Sequence, residues 1–373
     1  MSEGTGALSA RLPDFPWNAL TPYVETANAH PDGVVDLSVG TPVDPTPDVV
    51  RRALETASDA PGYPLTGGTP RLRESMAAWL DRRLGVTIDS ADVMPVIGSK
   101  ELVAWLPTML GLGSSDTVVI PELAYPTYAV GAQIAGARLV RADSTTALGP
   151  EPVTMVWINS PANPTGRVLP VEHLRKVVAW ARERGALVVS DECYIELSWS
   201  SDPAERPVSA LHPTVCGDST EGIMVVHSLS KRSNMAGYRL GFVAGDSSVV
   251  ASLLEVRKHA GMIVPGPIQA AGIAAYDDDD HVEIQRDRYR RRRELLHTAL
   301  IDAGFRVDHS EAAIYLWATR DEPCWDTVGW LARRGILVAP GEFYGPKGNA
   351  HVRVALTATD ERVSSAVKRL GEP

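Results

Sequence analysis

Five polar clusters in this 373-residue chain follow apolar runs, and each holds side chains able to do chemistry. Lys231 lies in HSLSKRSNMAGYRLGF, after an apolar run over 223–226. An amine delivered by a strand end into a serine- and glycine-lined loop is partly desolvated. It loses basicity and becomes a nucleophile toward carbonyls. Ser228, Ser230 and Arg239 share this segment. Asp191 and Tyr194 stand in SDECY, Asn159 and Asn163 in NSPANPTG, and Tyr125 and Tyr128 in IPELAYPTY. The fifth cluster, Gly98-Ser99-Lys100-Glu101, opens a helix whose first amides, with Ser99, suit a phosphate. Each cluster also has an ordinary reading: an N-cap at Ser99, a turn at Asn163-Pro164, a loop cap at Asp191, core tyrosines. Together they supply an anion seat, a carboxylate, a lysine, flat aromatic faces and an arginine. A phosphorylated, cationic heteroaromatic aldehyde needs that set. The carboxylate keeps its ring nitrogen protonated, the lysine bonds its carbonyl, and amides, serines and arginine balance its phosphate.

The elements that must place these residues read as alternating apolar strands and amphipathic helices. Strands are expected at 93–97, 117–120, 153–159, 186–190 and 223–226, and helices at 46–57, 70–84, 100–110, 127–135 and 171–184. Thr69 and Pro70 mark the second helix start. Strands apolar on both faces and alternating with helices indicate an α/β fold with a mostly parallel sheet covered by helices. Ligands bind at the carboxyl ends of such strands. After about residue 249 the chain turns helical, with a long charged helix at 281–303. Short strands follow at 314–317, 336–338 and 351–356. The expected organisation is an extended N-terminal arm over 1–32 that joins the small domain, a large domain over 33–264, and a smaller α+β domain over 265–373.

Taken in order, SVGTP, YPLTGGTPRLRESMAAWL, IGSKE, AYPTY, NPTG, SDECY, SLSK with an arginine eight residues on, and a late VRVAL resemble the class I/II aminotransferases of fold type I. These enzymes depend on pyridoxal 5'-phosphate (PLP), and the likeness covers nearly the whole chain. It implies Lys231 as the Schiff-base lysine and proton carrier, Asp191 as partner of the pyridinium nitrogen, and Asn163 and Tyr194 on the ring's phenolic oxygen. Tyr125 would stack on the ring, while Ser99, Lys100, Ser228 and Arg239 would hold the phosphate. Arg353 would clamp the substrate α-carboxylate near the backbone of Gly40. Tyr63 would reach the partner subunit's phosphate, making the enzyme a homodimer with shared sites. One departure is Leu123, which stands where the family often has the second proline of P-x-P-x-Y. Within the family, the run Lys231-Arg232-Ser233-Asn234 is most similar to N-succinyldiaminopimelate aminotransferases of lysine biosynthesis. That resemblance implies glutamate as donor and N-succinyl-2-amino-6-oxopimelate as acceptor. An aminotransferase of aspartate, alanine or aromatic amino acids, or a PLP-dependent C–S β-lyase, would carry the same motifs. Arg232, Lys100 and Lys258 are candidates for reading a distal substrate carboxylate, and the pattern does not choose among them.

The bulk properties exclude other classes. Net charge is −10 and pI about 5.4, against a nucleic-acid or anionic-membrane binder. The run RDRYRRRR over 286–293 follows Asp277–Asp280 and suits a solvated helix with its dipole. The 3 cysteines have no CxxC spacing, against a disulfide framework or a metal site and in keeping with a reducing cytoplasm. The first residues have no apolar core of signal-peptide length, and no run reaches the ~20 apolar residues of a membrane span. SLSK also fits the S-x-x-K of penicillin-interacting enzymes, but only Pro346-Lys347-Gly348 answers their later K-[ST]-G. A PLP-sensing transcription regulator would need a DNA-binding domain that 32 residues cannot hold.

Overall fold

The computed structural model describes residues 8–200, 202 and 205–372. The first seven residues of the expected arm lie outside them. β1 (Val35–Asp36) precedes the large sheet. β2 (Val93–Val96), β3 (Thr117–Ile120), β4 (Arg138–Arg141), β5 (Met155–Asn159), β6 (Leu187–Asp191), β7 (Ile223–Ser228) and β8 (Gly241–Gly245) form one sheet in the order β2-β8-β7-β6-β5-β3-β4. All pairs are parallel except those of β8, which runs antiparallel to β2 and β7. The link from β7 to β8, residues 229–240, carries Lys231 and holds two short helical turns, Leu229–Arg232 and Ala236–Tyr238. A parallel return is usually made through an α-helix packed on the sheet, and neither turn is long enough to be one.

Helices cover both faces, so alternate residues of one strand enter different cores. In β7, Ile223 and Val225 join one core with Trp79 and Phe242, and Met224 and Val226 join the other with Leu102 and Tyr128. Each fully buried side chain of this kind contributes roughly 1.5–3 kcal/mol, and a one-residue slip would exchange the two sets. The helix Pro70–Leu84 starts and stops as its sequence dictates. Thr69 Oγ1 accepts from the Leu72 amide at 3.2 Å, and Gly85 ends it at φ 65°.

The later strands are β9 (Arg306–Asp308), β10 (Tyr315–Thr319), β11 (Ile336–Leu337), β12 (Ala339–Pro340) and β13 (Val352–Ala355). β11 pairs in parallel with β1, and the other four make an antiparallel sheet ordered β12-β13-β10-β9. The arm is helical rather than extended: Thr21–Asn28 is an α-helix. Leu20, Tyr23, Val24 and Ala27 recur at helical spacing, and Tyr23 stacks on Trp325 of the helix Cys324–Arg333 at 5.3 Å. The helix Gly266–Asp277 gives Ala271, Ala275 and Tyr276 to the core of the large sheet. A boundary at 264/265 would part it from that core. The packing changes hands in the helix Asp280–Asp302, where Tyr289, Leu296 and Leu300 join the core of the small sheet. Strand β4 and the turn Leu229–Arg232 were not expected, being short and mixed in character. No helix among the described residues is long and apolar enough to cross a membrane.

Candidate active site

The parallel strands β5, β6 and β7 end side by side, and their last residues build the floor of a polar site. Asp191 closes β6 in a buried position, where desolvation raises its pKa. Two donors oppose that rise: Tyr128 Oη gives to Oδ2 at 2.7 Å and the Cys193 amide to Oδ1 at 3.1 Å. Tyr128 is itself fixed by stacking on Trp157 at 4.8 Å, and Tyr125 stands edge-on to it at 5.8 Å. Burial pushes the Tyr125 hydroxyl up to about 12. Asn159, at the end of β5, ties the strand ends together. Its Nδ2 donates to the Asp191 carbonyl at 2.9 Å, and its Oδ1 accepts from the Asn163 amide at 2.8 Å.

Lys231 sits at the end of β7, and burial lowers its pKa to about 8. The like charges of Arg353 and Arg239 push the same way, and Cys193 opposes them. Next to it lies a seat for an anion. Ser228 caps the turn, its Oγ accepting from the Ser230 amide at 3.1 Å and donating to Ser230 Oγ at 2.9 Å. The helix Ser99–Met109 begins at Gly98, which has no side chain to satisfy the first amides. Gly98 has φ 75°, and a Cβ there would overlap Arg239 Nη2. The guanidinium therefore reaches the helix N-terminus only past a glycine. Arg239 is itself left-handed at φ 56° and donates to the Ala236 carbonyl at 2.8 Å.

The small sheet supplies the opposite wall. Arg353 of β13 is buried, with Nη1 donating to Asn163 Oδ1 at 2.9 Å and Nη2 to the Ser38 carbonyl at 2.7 Å. Its Nε is buried and finds no partner among the described residues. The guanidinium packs over the Tyr315 ring at 4.0 Å and near Tyr344 at 5.1 Å. Tyr315 Oη shares a 2.9 Å hydrogen bond with Tyr194 Oη. A Cβ on Gly40 would strike the same hydroxyl, which is why the chain passes here as glycine.

Asp191, Asn163, Tyr194, Tyr125, Ser99, Ser228, Lys231, Arg239, Gly40 and Arg353 thus all belong to one site. The Lys100 amide is at the helix start, but its side chain is exposed and its ammonium lies 5.6 Å over the Phe15 ring. Tyr63 is fully exposed at 101%. Arg232 is buried against Glu196 at 2.5 Å, and Lys258 pairs with Glu255 at 2.6 Å on the surface, so both are already engaged. The sequence reading missed Tyr315, Tyr344 and the Ser38 carbonyl. Tyr315 sits in a strand that reads as core, Tyr344 stands in a Gly- and Pro-rich stretch outside the expected elements, and a carbonyl has no sequence signature.

These groups fit the cofactor that the resemblance implies. The open helix start beside Arg239 and Ser228 suits a phosphate, the buried Asp191 suits a ring cation, and the low-basicity Lys231 suits an aldehyde. The family model "Aminotransferase class I and II" matches residues 32–370. The chain is 63% identical over 366 residues to a protein of Mycobacterium tuberculosis named "probable aminotransferase", covering 98% of this chain and 87% of that protein. It is 61% identical over 359 residues to the 4-dedimethylamino-4-oxo-anhydrotetracycline transaminase OxyQ of Streptomyces rimosus, covering 96% and 99%. An aminotransferase structure from Neisseria meningitidis Z2491 superposes with a TM-score of 0.88 at 30% identity, over 98% of each chain.

Proposed function

Because the chain belongs to the PLP-dependent class I and II aminotransferases, we propose that its site moves an amino group from glutamate to N-succinyl-2-amino-6-oxopimelate. The observation that carries the reading is Arg353, a buried arginine whose Nε is unpaired among the described residues and whose charge lowers the basicity of Lys231. An α-carboxylate docked there would place its Cα near the lysine.

When bound, PLP supplies an aldehyde for the amino group and a ring that draws electrons from Cα. The residues do the rest. The helix start at Ser99, with Lys100 contributing its amide, would take the phosphate together with Ser228 and Arg239. Asp191, its charge supported by Tyr128, would hold the proton on the ring nitrogen. Asn163 and Tyr194 would donate to the phenolic oxygen, and Tyr125 would cover the ring. Lys231 Nζ is the amine that would hold the aldehyde. Its lowered pKa of about 8 leaves a large share of the free amine neutral around that pH, so that it could take a proton from the substrate Cα and give it back as acid. Arg353 and the Gly40 backbone fix the carboxylate, while Tyr315 keeps Tyr194 and Arg353 in register.

The exposure of Tyr63 supports a homodimer in which it completes the partner's phosphate site. The free cysteines Cys193, Cys216 and Cys324 support a cytoplasmic setting. The 61% identity to a transaminase named for a tetracyclic ketone favours a second reading, a polycyclic ketone as acceptor with the same donor. Arg353 serves the donor half-reaction in both. Half-reaction spectra decide: the enzyme loaded with glutamate's amino group is mixed with the succinylated oxopimelate, other 2-oxo acids and a polycyclic ketone. Fastest return of the starting spectrum with the succinylated compound supports the first reading. Return only with the ketone replaces it with the second.

A further inference from the structure

A second cluster of buried polar groups lies against the Lys231 loop and takes no part in the site described above. Glu192 Oε2 lies 3.3 Å from His227 Nε2, and Glu196 Oε2 lies 2.5 Å from Arg232 Nε. All four residues are buried. Glu192 follows Asp191 directly, and Arg232 follows Lys231 directly. The two residues that face the cofactor therefore each have a sequence neighbour in this cluster. The cluster joins the segment after β6 to the segment at the end of β7.

Its surroundings hold it firmly. The Arg232 guanidinium lies against the rings of both Trp79 and Tyr276, at 5.3 and 5.4 Å. Glu196 is shared with Arg83 at 2.9 Å, and Arg83 also pairs with Glu283 at 2.7 Å. Glu192 Oε1 accepts from the Ala210 amide at 2.7 Å. Among the described residues, Arg232 Nη1 and Nη2 and the Tyr276 hydroxyl have no protein partner. Arg232 and Tyr276 line a cavity of about 10 Å³ with Trp79, His227, Glu192 and Glu196. That is the lower limit for one water, and its walls are polar enough to hold it. Buried ion pairs contribute little stability over a well-packed apolar core. A cluster of this kind is better explained by the geometry it enforces.

We propose that Arg232 and Glu196, with the Glu192–His227 contact and one water in the cavity, are positioning residues that set Lys231 relative to Asp191. The proposal rests on the roles given to those two residues above. Misplacing a reacting group by about 1 Å costs on the order of a hundredfold in rate, so the device acts on turnover rather than on binding.

The test uses purified holoenzyme with Arg232→Met, Glu196→Gln and the double variant. Borohydride fixation of the cofactor on Lys231 in the unaltered enzyme checks the earlier reading by itself. The single variants should keep their cofactor and lose kcat by roughly tenfold or more, with KM for glutamate within about threefold. The pH at which the lysine-bound cofactor's absorbance titrates should also move. The double variant removes both charges, so its melting temperature should recover while kcat stays low. Recovery of kcat along with stability would mean a merely structural role and would overturn the proposal. So would an unmoved absorbance titration, or a rise in KM at unchanged kcat, which would make Arg232 a substrate reader. A high-resolution crystal structure should show one water bonded to Arg232 Nη1 or Nη2. A dry cavity there would remove water from the device.

Discussion

Arg353 Nη1 donates to Asn163 Oδ1 at 2.9 Å, so one guanidinium joins the small sheet to the loop after β5. Its second bond, to the Ser38 carbonyl at 2.7 Å, brings in a third segment. The carboxylate clamp is thereby pre-ordered, and part of the cost of fixing it is met in folding. Replacing Arg353 with Lys substitutes a point charge for a planar fork. KM should rise by about tenfold or more for every amino donor, with a smaller change in kcat. Steady-state kinetics on several donors check this. A change confined to one donor would mean that Arg353 reads the side chain instead.

Lys231→Ala should abolish covalent retention of the cofactor. Borohydride treatment followed by mass analysis should place the adduct on the peptide carrying Lys231 in the unaltered enzyme and find no adduct in the variant, and an adduct on another lysine would contradict the assignment. The low basicity also leaves a mark on the cofactor-free protein. Its folded value is about 8 against an ordinary 10.5. Between those values the unfolded chain binds more protons, so stability rises with pH across that window. Below about pH 8 the folded protein carries a buried charge and its full penalty. Denaturant midpoints measured against pH should show this rise in the cofactor-free protein and a flatter curve in Lys231→Met.

Asp191→Asn removes the carboxylate that is to hold the ring proton. Turnover should fall by roughly a hundredfold or more with cofactor still bound. Tyr128→Phe deletes only the 2.7 Å donor to the same carboxylate. Burial would then raise the Asp191 pKa further, and activity should fall by about tenfold, the scale of one charged hydrogen bond. Turnover of either variant close to the unaltered enzyme's would remove Asp191 from the mechanism.

Gly98→Ala combines a left-handed backbone at φ 75° with a Cβ that overlaps the Arg239 guanidinium. The strain alone is about 1–3 kcal/mol, because φ 75° with ψ 151° is a backbone region essentially reserved for glycine. Arg239 must move, so cofactor affinity should drop at least about tenfold, as read by equilibrium titration. Gly149→Ala, also at positive φ but with open space around its Cβ, provides the control and should bind normally.

Tyr63 is fully exposed on its own chain, yet Tyr63→Phe should weaken cofactor retention if it serves a partner subunit. Diluting the unaltered enzyme below its dimer dissociation constant should have the same effect. Mixed dimers of Lys231→Ala and Tyr63→Ala chains contain one site with both groups intact. Such mixtures should regain activity that Lys231→Ala alone lacks. Failure to regain any would argue that each chain's site is complete by itself.

Much of this arrangement is legible in the sequence because strand ends carry their own punctuation. The helix from Pro70 was readable to the residue, since Thr69 and Gly85 are caps with a local cause. Lys231, Asp191 and Asn163 were legible as a set, since each alone has an ordinary loop or cap reading and only together do they match the needs of one cofactor. Tyr315 did not, since an aromatic residue within an apolar strand reads as core. Its role arises only where β10 meets Gly40, some 275 residues away in the chain. The N-terminal helix Thr21–Asn28 was missed because its stability comes from Trp325 and its neighbours rather than from its own weak pattern.

The position of β8 has one more consequence, which concerns the order in which the protein is made. β2 pairs in its sheet with β8 alone, and β8 lies between β2 and β7. A growing chain therefore releases the helix start at Ser99 long before the strand that anchors it to Lys231. A chain stopped ahead of Gly241 would carry the carboxylate, the lysine and the covering tyrosine, yet β2, the strand that leads into the phosphate seat, would have no partner in the sheet. The phosphate seat is thus fixed in the sheet by a strand that contributes none of the site's side chains, and the wall carrying Arg353 is made later still.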